Sequence, residues 1–386
     1  MSTLKIQAVQ SRREKKQFFQ LPWQLYRNDP NWIPPLRQNQ LELLNYKHHP
    51  FYEQNEIQTF LALRDGQPVG RVAAIVNNAH NQQYGERRGF FGFFECIDDQ
   101  DVCDGLFGAV RAWFAERKIF AVRGPTNPSL NYECGLLIDG FDSPPWFMMT
   151  YNSPYYARLI EGSGFQKTQD LFAFWGQIEM LKDLDKKMAF VIEETKRRFK
   201  VNLRHMERAR FNQEVRVFLD IYNRSLVGTW GFAPMSEAEV DHMAESLRHL
   251  IVPELTAIAE VDGVPVGVTF GLLDYNPRIK KIDGRLFPFG FLRLLANKRA
   301  LTSVRIIATN VVPEYQKWGL GLTLLAKLVP SALAWGIKEA EFSWVAESNH
   351  LSYKSLKRGG AKITKSYRIY DWEAPASPDG RPAEVN

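Results

Sequence analysis

Residues 304–321 read VRIIATNVVPEYQKWGLG. A β-branched apolar run enters Pro313, a turn closes on Gln316, Gly319 and Gly321, and a helix is expected from about Leu320. Glycines at such a turn let the backbone approach a diphosphate closely. The first amides of the helix have no intrahelical acceptor and face the anion, and the helix dipole adds to the attraction. Gln316, Lys317 and the amides of Trp318, Gly319, Leu320, Gly321 and Leu322 are therefore candidate phosphate ligands.

The turn alone is weak evidence, because Q/R-x-x-G-x-G/A recurs by chance in roughly a third of chains this long. A second segment strengthens it: WVAESNHLSYKSLKRGGAKI, Trp344 to Ile363. A strand ends there near Glu347, Asn349 opens a short helix, and Gly359-Gly360 closes it. An ordinary β-turn-α unit with a glycine C-cap also fits that pattern. Taken together, the two segments resemble the signatures Q-x-x-G-x-G and N-x-x-A-x-x-L-Y-x-x-x-G-F of the GNAT acyltransferases.

The resemblance implies an acyl-CoA donor with its pyrophosphate at residues 316–322. Its pantetheine arm would lie on the strand Ala308 to Val312, at Asn310, Val311 and Val312, with Asn349 as a further contact. The tyrosine that serves as general acid in that signature falls on Leu356 here, and Tyr353, one helical turn earlier, is the nearest substitute. Glu347 at the strand end is the base candidate, or else a solvated or ion-paired glutamate. Pro330, inside the expected helix, should end or kink it.

The 386 residues suffice for two domains of about 150–200 residues. With 45% apolar and 24% charged residues the composition is that of a folded globular chain. Three cysteines without a C-x-x-C, at 96, 103 and 134, argue against a disulfide framework and against a metal site. They point to a reducing cytoplasm. MSTLKIQAVQSRREKK has no signal-peptide core, and no run of about 18 apolar residues occurs. The Pro-, Ala- and Asp-rich stretch 373–386 is expected to be a disordered tail.

The chain repeats itself at an offset of 197 residues. Ala62 to Gly70 reads ALRDGQPVG and Ala259 to Gly267 reads AEVDGVPVG, each a β-hairpin closed by Asp-Gly. Upstream, Phe18–Tyr26 and Val217–Tyr222 share helical spacing, followed by Trp32-Ile-Pro-Pro and Trp230-Gly-Phe-Ala-Pro. Downstream in the first half come a strand at Phe90–Phe94, a helix at Val102–Lys118 and a strand at Ala121–Gly124. The halves divide between Ile178 and Lys200, which gives domains 1–180 and 181–372. Where the second half has its glycine turn, the first has Asp98-Asp99-Gln100-Asp101. Carboxylates there repel a pyrophosphate, so CoA is expected on the second half only.

Longer segments carry a closer resemblance: Gly124 to Phe165, Thr229 to Glu239, and Gly284 to Leu295. These are similar to a bacterial family of tandem-GNAT proteins, some of them similar to bacterial ceramide synthases, with the Fem-type aminoacyl transferases more distant. The resemblance implies an α/β fold (α+β, mixed sheet) of two tandem GNAT-like domains, the N-terminal one degenerate. It also implies an N-acyltransferase acting on a primary amine, of sphingoid type in the closest reading. The alternatives are a Fem-like aminoacyl transferase and a GNAT-fold regulator without catalysis.

Between Gly124 and Phe165 the proline-punctuated stretch suggests an acceptor loop. Glu133 and Tyr151 are candidates to act on the amine, and Asn127, Asn131 and Asn152 to bind it; the same residues would otherwise satisfy loop backbone. Trp230 and Phe232 are further substrate-binding candidates. Residues 278–299 carry seven basic side chains and one acid beside Phe287, Phe289, Phe291, Leu292, Leu294 and Leu295. That mixture suits either peripheral contact with an anionic membrane or a core helix with snorkelling basic ends. A second basic cluster lies at Lys196–Arg210. No zinc, helix-turn-helix or RNP pattern occurs, so nucleic acid is not an expected partner.

Overall fold

The computed structural model describes residues 3–181 and 186–375; the expected tail lies outside them from residue 376 onward. In chain order the elements used below begin with β1 (Leu4–Ala8), α1 (Arg12–Leu25), β2 (Glu56–Arg64), β3 (Gln67–Val76) and β4 (Arg88–Cys96). Next come α2 (Gln100–Ala115), β5 (Ala121–Gly124), β6 (Leu136–Asp139), β7 (Gln166–Gln177), α3 (Lys186–Phe199) and β8 (Asn202–Arg204). Then follow α4 (Phe211–Ser225), β9 (Thr256–Val261), β10 (Val264–Leu273), α5 (Gly290–Leu295) and β11 (Ser303–Val311). The last are α6 (Leu320–Trp335), β12 (Glu339–Ala346), α7 (His350–Arg358) and β13 (Lys362–Glu373). This is a mixed α/β fold, as expected.

Two compact units form. The first holds the described residues up to Leu171, Ile279–Pro288 and those from Lys365; the second holds Phe172–Arg278 and Phe289–Thr364. The closing strand and the 279–288 segment thus fold with the N-terminal residues, although the repeat sets them in the C-terminal half.

In the first unit the strands run β1-β2-β3-β4-β5-β13, with β6 also on β13. Alternation along each strand feeds two cores. Ala62, Val72 and Ala74 join Val102, Leu106 and Phe107 of α2, whereas Leu61, Ala73 and Ile75 join Phe18 and Phe19 of α1. Ser11 and Glu14 form a capping box that starts α1. In the second unit β12, β11, β10, β9 and β8 follow one another, and Leu320, Leu324 and Leu328 of α6 pack with Ile258, Val268 and Val311. Each such leucine contributes about 1.5–3 kcal/mol by burial.

The repeat survives in detail. Asp65 and Gly66 take φ of 50° and 78°, and Asp262 and Gly263 take the same values. Two successive positive φ angles are those of the hairpin turn whose twist matches the strands. Register shifts at Ala62/Leu63 and at Ala259/Glu260, again 197 residues apart, place a bulge beside each turn.

Two readings that the sequence left open are narrowed. Pro330 does not end α6, which continues to Trp335. The apolar 287–295 segment is not a core helix: Phe287, Phe289 and Leu292 are 71%, 69% and 54% exposed, and of this stretch only Leu294 is buried. Turns at Pro288 and Asn297 bound the helix Gly290–Leu295 and hold it short, so it has no long continuous face to bury.

Candidate active site

The two units repeat a strand-helix-strand path, β4-α2-β5 in the first and β11-α6-β12 in the second, and differ at the helix mouth. In the first unit Asp99 caps α2: its Oδ1 accepts the Val102 amide (3.2 Å) and its Oδ2 pairs with Arg64 (2.7 Å). A carboxylate fills the place where an anion would sit. In the second unit the N-cap of α6 is Gly319, in the left-handed region at φ 83°, with no side-chain cap. The first helical hydrogen bond runs from the Thr323 amide to the Gly319 carbonyl (3.0 Å). The amides of Leu320, Gly321 and Leu322 are thus left at the mouth. A Cβ on Gly321 would meet only ordinary contacts, the nearest at 3.5 Å on Thr309, so no side chain crowds that position. These residues fit a pyrophosphate.

The strand gap differs in the same sense. β4 pairs with β5 in parallel only over Arg88–Phe90, and β11 with β12 only over Ser303–Ile306, so both pairs splay beyond. In the first unit the chain's own loop closes the splay. Asn127 Oδ1 accepts the Phe93 amide (2.7 Å), and the Thr126 carbonyl lies where a Cβ on Gly92 would stand. In the second unit Ile307, Ala308 and Thr309 beyond the ladder are partly or fully exposed. Main-chain groups there suit the amides of an extended arm.

Local packing sets the turn. Gln316 donates from Nε2 to the carbonyls of Ser225 and Val311, both at 2.9 Å, and Asn310 donates from Nδ2 to Ser225 Oγ (2.8 Å). The end of α4 therefore fixes both residues, and their side chains brace the turn. Val191 and Thr195 of α3 cover Gly319; the Thr195 hydroxyl donates to the Trp318 carbonyl. Arg198, also on α3, stacks 3.9 Å from the centroid of the Trp318 ring. Lys317 and Arg198 thus bring positive charge to the mouth of α6.

Beside the strand stands an aromatic group. Phe270 pairs in register with Ala308, and its ring lies 6.2 Å from Phe218, which stacks on Tyr222 at 5.6 Å. Tyr222 in turn lies 5.9 Å from the buried Phe232. Trp230 is half-buried two residues before it. Asn349 caps α7, its Oδ1 accepting the Ser352 amide (3.1 Å), and Gly360, at φ 85°, closes that helix. Glu347 is exposed between β12 and α7. The Tyr353 ring packs on Phe172 and Phe174 at 5.6 and 5.3 Å, with Lys357 over its face.

In the first unit Asn127 and Glu133 face each other in a short two-stranded ribbon. The Asn131 amide donates to Ser129 Oγ (3.2 Å). Asn152 clamps β6, accepting from the Leu137 amide (2.7 Å) and donating to its carbonyl (3.1 Å). Tyr151 donates to Asp29 Oδ2 (2.7 Å), and burial, with the hydrogen bond to Asp29 and its charge, raises the Tyr151 pKa well above the usual phenol value. Close by, the hydroxyls of Tyr26 and Tyr156 both donate to the buried Glu95, at 2.6 and 2.8 Å. Burial raises the Glu95 pKa, partly countered by Arg71.

Sequence reading missed Ser225, Thr195, Val191 and the Phe218–Tyr222–Phe270 group. None carries a motif of its own, and only the fold brings them to β11 and the turn. Arg198 was within the basic cluster, without a sign that it reaches Trp318.

A parallel strand pair that splays beside an uncapped, glycine-led helix is the frame of a GNAT acyltransferase, here built on a chain that carries the unit twice. No protein-family model matches the sequence. Over 370 residues it is 35% identical to protein YghO of Escherichia coli, spanning 94% of this chain and 93% of that one. It is 34% identical over 381 residues to the bacterial ceramide synthase of Caulobacter vibrioides, spanning 95% and 97%. Among solved structures, a tandem GNAT protein from the clavulanic acid biosynthesis pathway matches 97% of this chain and 100% of its own, at TM-score 0.57 and 11% identity. The chain belongs to the family of YghO and the bacterial ceramide synthase, tandem-GNAT acyltransferases.

Proposed function

We propose that the protein is an acyl-CoA-dependent N-acyltransferase that moves an acyl group from a CoA thioester to a primary amine, with a sphingoid-type lipid amine as acceptor. The observation that carries this reading is the mouth of α6 left without a side-chain cap, set against the Asp99-sealed mouth of α2. In this reading the halves 1–180 and 181–372 are a degenerate and a CoA-binding copy of one unit. The name of the Caulobacter relative supports the lipid amine.

When bound, acyl-CoA supplies the activated carbonyl. The amides of Leu320, Gly321 and Leu322, with Lys317 and Arg198, hold its phosphates, and Asn310, Val311 and Val312 line its arm. The amine nitrogen attacks the thioester carbon, a C–N bond forms, and the C–S bond breaks. Glu347 takes the amine proton, and Tyr353 or water supplies a proton to the departing thiolate. Glu133, Tyr151, Asn127, Asn131 and Asn152 belong to the acceptor side, and Trp230 and Phe232 flank the acyl chain. Residues 278–299 rest on an anionic membrane, so the enzyme works in the cytoplasm at a membrane surface. Release of free thiol from a panel of short- and long-chain acyl-CoA esters with amine acceptors tests the reading. Acyl-chain-dependent release supports it, and silence across the panel removes it.

A further inference from the structure

In the second unit Arg208, Arg210 and Arg248 line an open cleft of about 250 Å³ together with Phe211, Asn212 and Gln213. None of these arginines is fully engaged. Arg208 reaches the Ile251 carbonyl at 3.4 Å, Arg210 donates to Gln213 at 2.8 Å and lies 3.9 Å from Glu207, and Arg248 pairs with Glu245 at 3.1 Å, donates to Asn212 Oδ1 at 3.4 Å and lies over the Phe211 ring. A guanidinium carries five N–H donors, so each keeps donors for a ligand. Planar forks of this kind match phosphate oxygens.

Lys298 links the chain beside the cleft to the exposed apolar segment. Arg278 ends α5 by donating to the carbonyls of Leu294 (2.8 Å), Ala296 and Asn297 (2.7 Å). Lys298 donates to the His249 carbonyl, next to Arg248 and two residues from the carbonyl that Arg208 holds. Beyond this anchor stand Phe289, 69% exposed, Phe291, 39%, and Leu292, 54%, with Arg293 and Arg299 beside them. Burial lowers the Lys298 pKa, and the charges of Arg208 and Arg278 lower it further, as expected where cations crowd.

We propose that Arg208, Arg210 and Arg248 bind the phosphate of an anionic lipid headgroup while Phe289, Phe291 and Leu292 enter the bilayer beside it. The occupant is an anionic membrane because the cations flank exposed aromatic and aliphatic side chains, the pairing that an interface of anionic headgroups and acyl chains satisfies. The site deepens the membrane contact proposed above and rests on it.

Co-sedimentation of the full chain with phosphatidylcholine vesicles, with and without phosphatidylglycerol, tests it. Wild type is expected on the anionic vesicles and not on the neutral ones. Arg208→Gln, Arg210→Gln and Arg248→Gln each lower partitioning about fivefold, the factor that matches about 1 kcal/mol per basic residue at such a surface. Phe289→Ser with Phe291→Ser abolishes it. Arg210→Gln, at an exposed side chain, carries the test should the others fail to fold by circular dichroism. If wild type binds no vesicle, the membrane contact itself falls. If it binds and the arginine variants bind equally, the headgroup site falls and the contact stands. Saturation by inorganic phosphate without vesicles, or self-association that the Phe289→Ser change removes, overturns the lipid assignment. The thiol-release assay with soluble substrates reads the acyltransferase reading separately.

Discussion

Val191 of α3 packs so closely on Gly319 that no Cβ fits there. The glycine also sits at φ 83°, where an L side chain costs about 1–2 kcal/mol. Gly319→Ala should therefore lower stability by more than that backbone cost and weaken CoA binding, since α3 must move. Val191→Ala in the same chain should restore the steric part and leave the backbone part. Denaturant unfolding and calorimetry with CoA check both; a Gly319→Ala protein as stable as wild type would refute the packing.

The brace on the other side of the turn is Ser225. Its carbonyl holds Gln316 and its hydroxyl holds Asn310. A net hydrogen bond is worth about 0.5–1.5 kcal/mol, so Gln316→Ala should raise the CoA Kd about 3- to 10-fold. Ser225→Ala, which keeps the carbonyl, should cost less than Gln316→Ala. The reverse order in a CoA titration would mean that the hydroxyl, through Asn310, sets the turn.

Arg198 reaches the α6 mouth from α3 through its stack on Trp318. Arg198→Gln and Lys317→Gln should each weaken CoA several-fold at low salt, and the deficit should shrink as ionic strength rises. A deficit independent of salt would make their role one of packing.

Acid should unfold the first unit through two carboxylates. The Arg64 hydrogen bond, against slight burial, holds the Asp99 carboxyl below its ordinary range, and the Val102 amide helps. Burial opposes the Asp170 shift, but Arg368, bonded to it at 2.8 and 3.2 Å, and Lys167 outweigh it and lower that carboxyl too. Both are lowered in the folded state, so their contribution is full above the ordinary carboxylate pKa of about 4 and is lost as pH falls through the lower folded values. Melting curves should drop below about pH 4, and Asp99→Asn and Asp170→Asn should flatten that drop. An unchanged acid slope in both variants would assign it elsewhere.

At the chemical step, Glu347→Gln should lower kcat about 10²- to 10⁴-fold with CoA affinity kept, the range for a lost general base. Tyr353 packs its ring on Phe172 and Phe174. Tyr353→Phe keeps that packing, so any loss reports the hydroxyl alone. A lower kcat with CoA affinity kept in Tyr353→Phe would mark it as the acid, and an unchanged kcat would leave that role to water.

Much of the frame is legible in the chain because it is locally encoded. Asp65-Gly66 and Asp262-Gly263 form their turns for backbone reasons that need no partner, and alternation along β3 and β10 settles which residues face a helix. The acidic run at Asp98–Asp101 foretells a sealed helix mouth, since one carboxylate at an N-cap suffices to seal it. Less legible is what reaches a site from far along the chain. Asn127 closing on the Phe93 amide, Thr195 on the Trp318 carbonyl and β13 pairing with β5 depend on long-range neighbours that periodicity does not name. The exposure of Phe289 and Leu292 is of the same kind, because an apolar run reads alike whether or not another element covers it.

Short-range backbone preference, then, determined the two hairpins, the glycine-led helix start at Leu320 and the doubled strand-helix-strand path, all written within a few residues of where they act. What braces the uncapped helix mouth and which apolar residues remain in water were decided only in the tertiary structure. Those outcomes rest on which distant surfaces bury one another, and burial is a property of the packed chain and not of any one segment.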